Sequence, residues 1–343
     1  MFHAQNYPQP QGFSPDWLAC YREFLLHMWS RSRSECTLTG YSSTLVRFFE
    51  YAVKSPGAIT RQDVMGFASR ATLIGPVGAK YAGGPAPSTA TFNHRIAIIS
   101  SLYDYAAGFL VGGHPIFDKA SPTAGVIYGQ PTIKYKYMSE SEVHAFLNII
   151  DRATAQGSRD YAIFLLFLTS ARRAAAIARL VWADIEENVF EDGHRGHIFK
   201  FIEKGGKSVD SQEYAQTAYE ALITSLSISG RLESMEPLSP LFLGYGAPHG
   251  GLPIDRWKPI SALSISHAMK QYLKVAGLPQ KYSLHSWRHS SARFRVESGE
   301  DIRSVSKILG HQSLATTDRY VSLLRTDADD FGRKLARRFA GER

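Results

Sequence analysis

The sequence predicts a mainly α protein with a small β-sheet, built as an N-terminal helical bundle followed by an α+β domain. Three observations predict this. Apolar residues recur at helical spacing behind Ser, Thr or Asp caps through most of the chain. One stretch alone, Ile198-Phe199-Lys200-Phe201-Ile202, alternates convincingly as a strand, and the glycine turn Glu203-Lys204-Gly205-Gly206-Lys207 follows it. The length of 343 residues suits two domains at a prior of about 150 residues each.

In the N-terminal half, Ser14-Pro15-Asp16 reads as an N-cap with proline at the first helical position. Trp17, Tyr21, Phe24, Leu25 and Met28 then share one face. A second helix is predicted over 39–53, with Tyr41, Leu45, Phe48 and Phe49 apolar, and Ser55-Pro56-Gly57 ends it. Thr60-Arg61-Gln62-Asp63 opens a short third helix, and the Gly/Pro-rich loop 75–87 precedes a fourth, capped by Ser88. The surface of this bundle carries Arg22, Arg31, Arg33, Arg47, Arg61, Arg70, His94 and Arg95 among Ser and Thr. Such a surface suits DNA phosphates, and equally an ordinary solvated face. From 112 to 138 the text is linker-like, and Lys134 and Lys136 alternate there with Tyr135 and Tyr137. That mixture fits either a DNA backbone or a plain hinge.

Ser139-Glu140-Ser141-Glu142 is a capping box opening the next helix. The run 159–169 is apolar nearly all round, predicts a buried helix, and ends close to Arg172 and Arg173. A charged pair at that place needs a salt bridge or a bound anion. Helical patterns resume over 214–228 and 261–276, the latter closed by Gly277 and Pro279.

The net charge of +8 favours a polyanionic partner, nucleic acid first, since no lipid-binding amphipathic segment accompanies it. No apolar run approaches the roughly 20 residues that span a bilayer, and the N-terminus lacks a signal-peptide pattern. Two cysteines, Cys20 and Cys36, make neither a disulfide framework nor a zinc quartet. A cytoplasmic location, nucleoid-associated when DNA is bound, is expected.

Chemistry concentrates in 283–324. His285 and Arg288 lie one helical turn apart and can serve one oxyanion, a planar guanidinium beside an imidazole. His285 and His289 have zinc-site spacing, but Ser286 stands where the glutamate of that motif would be and no third ligand is evident. His311 follows Gly310 at a helix end, and Ser313 opens a short helix carrying Tyr320.

His285-x-x-Arg288, Leu309-Gly310-His311 and Tyr320 nine residues on resemble the C-terminal signature of the tyrosine recombinases, the phage-integrase and Xer-type family. Arg173, with Leu180, Asp184 and Ile185 downstream, resembles the family's first arginine motif, whereas Arg172 is out of register by one. Lys204 is similar to the family's hairpin lysine, and Ile59-Thr60-x-x-Asp63-Val64 with Pro87-Ser88-Thr89 resembles its core-binding domain. The resemblance implies a SAM-like helical core-binding domain over 14–118, a linker over 119–138 and an α+β catalytic domain over 139–325. A flexible N-terminus, 1–13, and a basic amphipathic tail helix, 326–343, flank these, and no separate arm-binding domain is expected. Three places depart from the family. Ala171-Arg172-Arg173 replaces Gly-Leu-Arg, and Ala176 occupies the place of an acidic residue that normally buttresses the site. Glu203 also replaces the usual glycine before the hairpin lysine.

What the resemblance implies is a site-specific recombinase. Tyr320 would attack a DNA phosphate to give a 3′-phosphotyrosyl link. Arg173 and Arg288 would clamp the phosphate, His285 would take the tyrosine proton, and His311 would bond the phosphate. Lys204 would protonate the leaving 5′-oxygen. No cofactor or metal is needed, because the phosphotyrosine conserves the bond energy. The implied partners are double-stranded DNA, contacted also by Arg47, Arg95, Lys134 and Lys136, and three further copies of the chain, joined through the tail into a tetramer on two DNA sites. The tail docking within its own chain is the alternative. A type IB topoisomerase would use nearly the same residues, and Ala176 motivates a weakened DNA-binding relative as a third reading.

Overall fold

The computed structural model describes residues 3–70, 86–130, 136–189, 193, 195–202, 208–213, 216–245 and 258–310. The chain divides into two compact units, Met1–Lys134 and Tyr135–Arg343.

The first unit is a bundle of helices α1 (Pro15–Ser32), α2 (Glu35–Ala52), α3 (Arg61–Ala68) and α4 (Thr89–Ala106). Its caps are the ones legible in the text. Ser14 Oγ accepts from Trp17 N at 3.4 Å, and Thr60 N donates to Asp63 Oδ2 at 2.8 Å, with Lys54 on the same carboxylate. Helix α2 starts earlier than its apolar spacing predicts, because Ser34 Oγ accepts from Thr37 N and a polar first turn can form outside the core. Trp17, Tyr21, Phe24, Phe48, Phe67 and Tyr103 fill the interior.

Both ends of this unit differ from expectation. Residues 3–13 are docked rather than loose: Tyr21 Oη donates to Pro8 O at 2.8 Å, Arg22 to Gln9 Oε1 at 3.0 Å, and Phe13 meets Phe49 edge-on at 4.7 Å. After α4 comes a small hairpin of β1 (Leu110–Val111) and β2 (His114–Pro115). Much of the stretch expected as linker then stays on the bundle. Phe117 and Val126 enter its core, and the Asn93 amide brackets Gly129, accepting from its N at 3.2 Å and donating to its O at 2.8 Å.

The second unit is built round α6 (Ala155–Ser170), which follows α5 (Glu140–Asn148). Helix α6 begins at the Thr154 cap, and Gly157 is required in its first turn, where a Cβ would lie 1.9 Å from Asp151 O. Helix α6 also carries a buried ion pair. Arg159 Nη2 lies 2.6 Å from Asp160 Oδ1, Tyr272 Oη donates to the other oxygen at 2.8 Å, and Arg159 Nη1 donates to Leu243 O. Burial raises the Asp160 carboxyl above its usual range, against the pull of Arg159 and Tyr272.

Past the short helix α7 (Ala174–Ala178), strands β3 (Ile185–Val189), β4 (Arg195–Ile202) and β5 (Ser208–Glu213) form an antiparallel sheet in the order β3-β4-β5. Phe199 and Phe201 of β4 face the core, as their alternation predicts. Lys204 belongs to the connection between β4 and β5 and lies outside the described residues. Helices α8 (Gln216–Ile228), α9 (Ala262–Val275), α10 (Leu284–Glu297) and α11 (Ile302–Leu309) complete the unit. Helix α6 packs on α8 and α10, and its Phe164 meets Phe146 at 4.7 Å and Trp287 at 5.1 Å. These aromatic contacts fix α10, and with it His285 and Arg288, against the end of α6.

Candidate active site

The site is assembled where α6 ends. Ala171 closes that helix in the left-handed region at φ 53°, a conformation glycine adopts freely and an L-residue does not. The turn aims the Ala171 carbonyl at α10, where Arg288 Nη1 donates to it at 2.7 Å. Arg288 Nη2 donates to the Leu309 carbonyl at the end of α11. Gly310 closes α11 in the same left-handed way, at φ 61°. One guanidinium, 2% exposed, therefore joins two helix ends. Each carbonyl it holds stands two residues ahead of a predicted phosphate ligand, Arg173 in one case and His311 in the other.

Glycine in place of Ala171 is expected to stabilise the protein. The left-handed conformation costs an L-residue about 1–2 kcal/mol, and glycine's greater freedom in the unfolded chain takes back about 0.4–1 kcal/mol. A net gain of about 0.5–1 kcal/mol in urea unfolding, with unchanged DNA cleavage, is the expected outcome for Ala171→Gly.

Arg172 and Arg173 have different fates. Arg172 is fully buried, its guanidinium 5.4 Å from the Phe201 ring centre. Arg173 caps α7, remains partly accessible, and is close enough to His285 to act on its ionisation. The structure thus brings Arg173, His285 and Arg288 together. His311 and Tyr320, like Lys204 and the tail 326–343, lie outside the described residues.

His285 is solvent-accessible at the rim of this cluster, its ring 4.7 Å edge-on from that of His289. Its pKa is lowered, first by the surrounding protein, which disfavours the charged imidazole, then by the Arg288 and Arg173 cations. A neutral imidazole is a proton acceptor. The unfolded chain binds this proton more readily than the folded one, so His285 reduces stability only as the pH falls below about 6.5, the unfolded value. An NMR titration of the His285 ring is expected to give a midpoint below that value, moving upward in Arg173→Gln as one cation is removed. Among the described residues, no group of three His, Cys, Asp or Glu side chains gathers as a metal site.

A second arginine of α10 was missed by sequence reasoning. Arg295 Nη2 donates to Thr169 O at 2.6 Å and Nη1 to Glu300 Oε2 at 2.7 Å. It braces the same α6 terminus that Arg288 holds. The available signal was its spacing, seven residues after Arg288 and hence on one helix stripe.

Of the cations expected to face DNA from the first unit and its join, Arg47 and Lys136 are exposed, and Lys134 lies outside the described residues. Arg95 is a correction. It is buried, and its Nη1 donates to Phe67 O, Ala68 O and Arg70 O, the last at 2.6 Å, at the open C-terminal end of α3. It adds to the capping of these carbonyls and does not face a phosphate. Arg61 and Arg70 are partly committed as well, Arg61 to Gly125 O at 2.7 Å and Arg70 over the Tyr51 ring at 4.8 Å.

The chain matches the phage integrase family over residues 136–326. It is 30% identical over 235 residues to a tyrosine recombinase XerC of Myxococcus xanthus, covering 67% of this chain and 70% of that protein. Among solved structures, XerH site-specific recombinase bound to palindromic difH substrate after cleavage superposes with TM-score 0.63 at 15% identity, covering 96% of this chain and 91% of that one. A lambda integrase tetramer bound to a Holliday junction gives 0.56 at 15% identity, covering 86% and 77%. At such identities these two establish the fold. The chain belongs to the phage integrase family. It is a tyrosine recombinase, an enzyme that cleaves and rejoins DNA strands.

Proposed function

We propose that this recombinase acts at a specific duplex site through a 3′-phosphotyrosyl intermediate on Tyr320. The observation that carries the proposal is the Arg288 guanidinium, which ties the turn before Arg173 to the turn before His311. In the reaction, the Tyr320 oxygen bonds to phosphorus and the bond from phosphorus to the 5′-oxygen breaks. The phenol, of pKa about 10, must lose its proton, and the neutral His285 takes it. Charge growing on the non-bridging oxygens falls to Arg173, Arg288 and His311. The leaving 5′-oxygen takes a proton from Lys204. Attack of a 5′-hydroxyl from another strand reverses each step and frees the tyrosine.

Within this reading, the helical first unit holds the DNA core site and the second performs the chemistry. Arg47, Lys134 and Lys136 contribute backbone contacts. Four copies assemble on two sites, linked by the tail 326–343; that a lambda integrase of the same fold binds a Holliday junction as a tetramer supports the stoichiometry. The work is done on DNA in the cytoplasm, and among the described residues no helix is long and apolar enough to cross a membrane.

The test is covalent capture. Purified protein is incubated with sheared genomic DNA of its source, denatured, and the DNA left on protein is sequenced from its junction. Recovery of one or a few discrete junctions is expected. Adducts scattered over many sequences would replace site-specific recombination with a topoisomerase-like activity, and no adducts would leave a DNA-binding relative.

A further inference from the structure

We propose that Arg179 is a positioning residue for proton delivery to the leaving oxygen. It ties the helix that follows Arg173 to the strand that leads into Lys204, and the proposal rests on the reading of Lys204 as the proton donor. Its guanidinium spans two elements. Nε donates to Ala175 O at 2.9 Å within α7, and Nη2 donates to Ile202 O at 2.8 Å at the end of β4. Ile202 is two residues ahead of Lys204 in the chain, and Ala175 two residues after Arg173.

The need for such a tie is visible beside it. Between α7 and β4 lies a cavity of about 280 Å³ lined by Ala176, Arg179, Leu180, Asp184, Lys200 and Ile202. Ala176, the position where an acidic side chain was expected, presents only a methyl group to this space. The polar groups around the cavity are mostly engaged elsewhere. Lys200 pairs with Glu186 across the sheet, and Asp184 accepts from Val181 N at 2.8 Å. The recess is open to solvent, and among the described residues lining it Arg179 hydrogen-bonds to both α7 and β4. A planar guanidinium suits the task, since two of its N–H groups reach separate carbonyls from one rigid plane. Losing it leaves the end of β4 without that tie to α7.

The test separates positioning of the proton donor from general damage. Cleavage is timed for the wild type, Arg179→Ala, Arg179→Lys and Lys204→Ala on a nicked duplex built on the junction recovered by covalent capture. Each is measured with the natural 5′-oxygen and with sulfur in its place. A thiolate departs without a proton, its acid having a pKa of about 8.5, so loss of the proton donor no longer matters. On the natural substrate Lys204→Ala is expected to lose about 10²–10⁴-fold. Arg179→Ala is expected to lose up to about 10²-fold, the scale for a catalytic group displaced by an ångström. Both deficits should vanish on the sulfur substrate, with duplex binding unchanged. Arg179→Lys keeps the charge but not the fork, and is expected to fall between wild type and Ala. If Lys204→Ala is rescued by sulfur and Arg179→Ala is not, the positioning role is wrong while the Lys204 reading stands. No slowing in Arg179→Ala, or full rate in Arg179→Lys, also overturns it. If Lys204→Ala itself is not rescued, the proton-donor reading fails and takes this inference with it.

Discussion

Tyr320→Phe is expected to abolish covalent DNA adducts while leaving duplex binding intact. The change removes one oxygen and keeps the ring, so packing and surface charge are preserved and the nucleophile alone is lost. His285 and the arginines are arranged to move a proton and to stabilise charge, and neither lysine nor arginine forms a phosphate ester. The readout is a denaturing gel of a labelled nicked duplex, in which the shifted protein–DNA band disappears for the variant, and a native gel in which the bound fraction is unchanged. The chain has 17 tyrosines. A shifted band persisting in Tyr320→Phe would therefore move the nucleophile to another of them.

The second large effect belongs to Arg288. Its loss removes a preorganised donor from the transition state, at a cost of about 10²–10³-fold in rate. It also strands the Ala171 and Leu309 carbonyls, each unsatisfied buried group costing about 1–3 kcal/mol. Arg288→Ala thus combines a catalytic and a structural defect, and Arg288→Lys helps to part them. Lysine keeps a positive charge at this place, but a single ammonium cannot present the fork that reaches two helix ends. The expected result is a cleavage rate lowered by about 10²-fold or more, in a protein that still melts cooperatively and binds duplex DNA. Near-normal cleavage by Arg288→Lys would mean that charge alone suffices and that the double carbonyl tie is incidental.

Local chemistry made much of the fold legible in the sequence. The caps at Ser14, Thr60, Ser88 and Ser139 are each satisfied within three residues, so the text around them is sufficient. Strand β4 declared itself by alternating Phe199 and Phe201 with Lys200. Strand β3 did not, since Glu186 and Glu187 in its middle are exposed and it joins the sheet through backbone pairing with β4. Arg95 shows the other limit. Its sequence neighbourhood resembles that of any surface arginine, and its burial is decided by carbonyls at and just past the end of α3, 25 to 28 residues away. Docking of residues 3–13 likewise depends on Tyr21 and Arg22, beyond the reach of a local pattern.

Arg173, His285 and Arg288, the candidate site residues the structure describes, drew notice in the sequence for a different reason. Histidine, arginine and tyrosine at fixed spacing carry chemistry in the side chains, and side chains are what a sequence records. What it does not record is which carbonyls the arginines hold. The role of Ala171 is invisible as a residue type, because its methyl group does nothing and its backbone conformation does the work. Arg295 and Arg179 escaped notice similarly, as each acts on a main-chain oxygen contributed by another element.

The double tie made by Arg288 has a consequence for how the protein is born. Its two carbonyl partners lie 117 residues before it and 21 residues after it. A chain emerging from the ribosome folds from its N-terminal end, so the bundle and α6 can form while α10 and α11 are still unmade. Until Leu309 has been added, the guanidinium has only one of its two fixed points, and Tyr320 does not yet exist. Under the Tyr320 proposal, chains that lack this last part are unable to cut. On that proposal, competence to break strands arrives only with the last part of synthesis, after the first unit is complete.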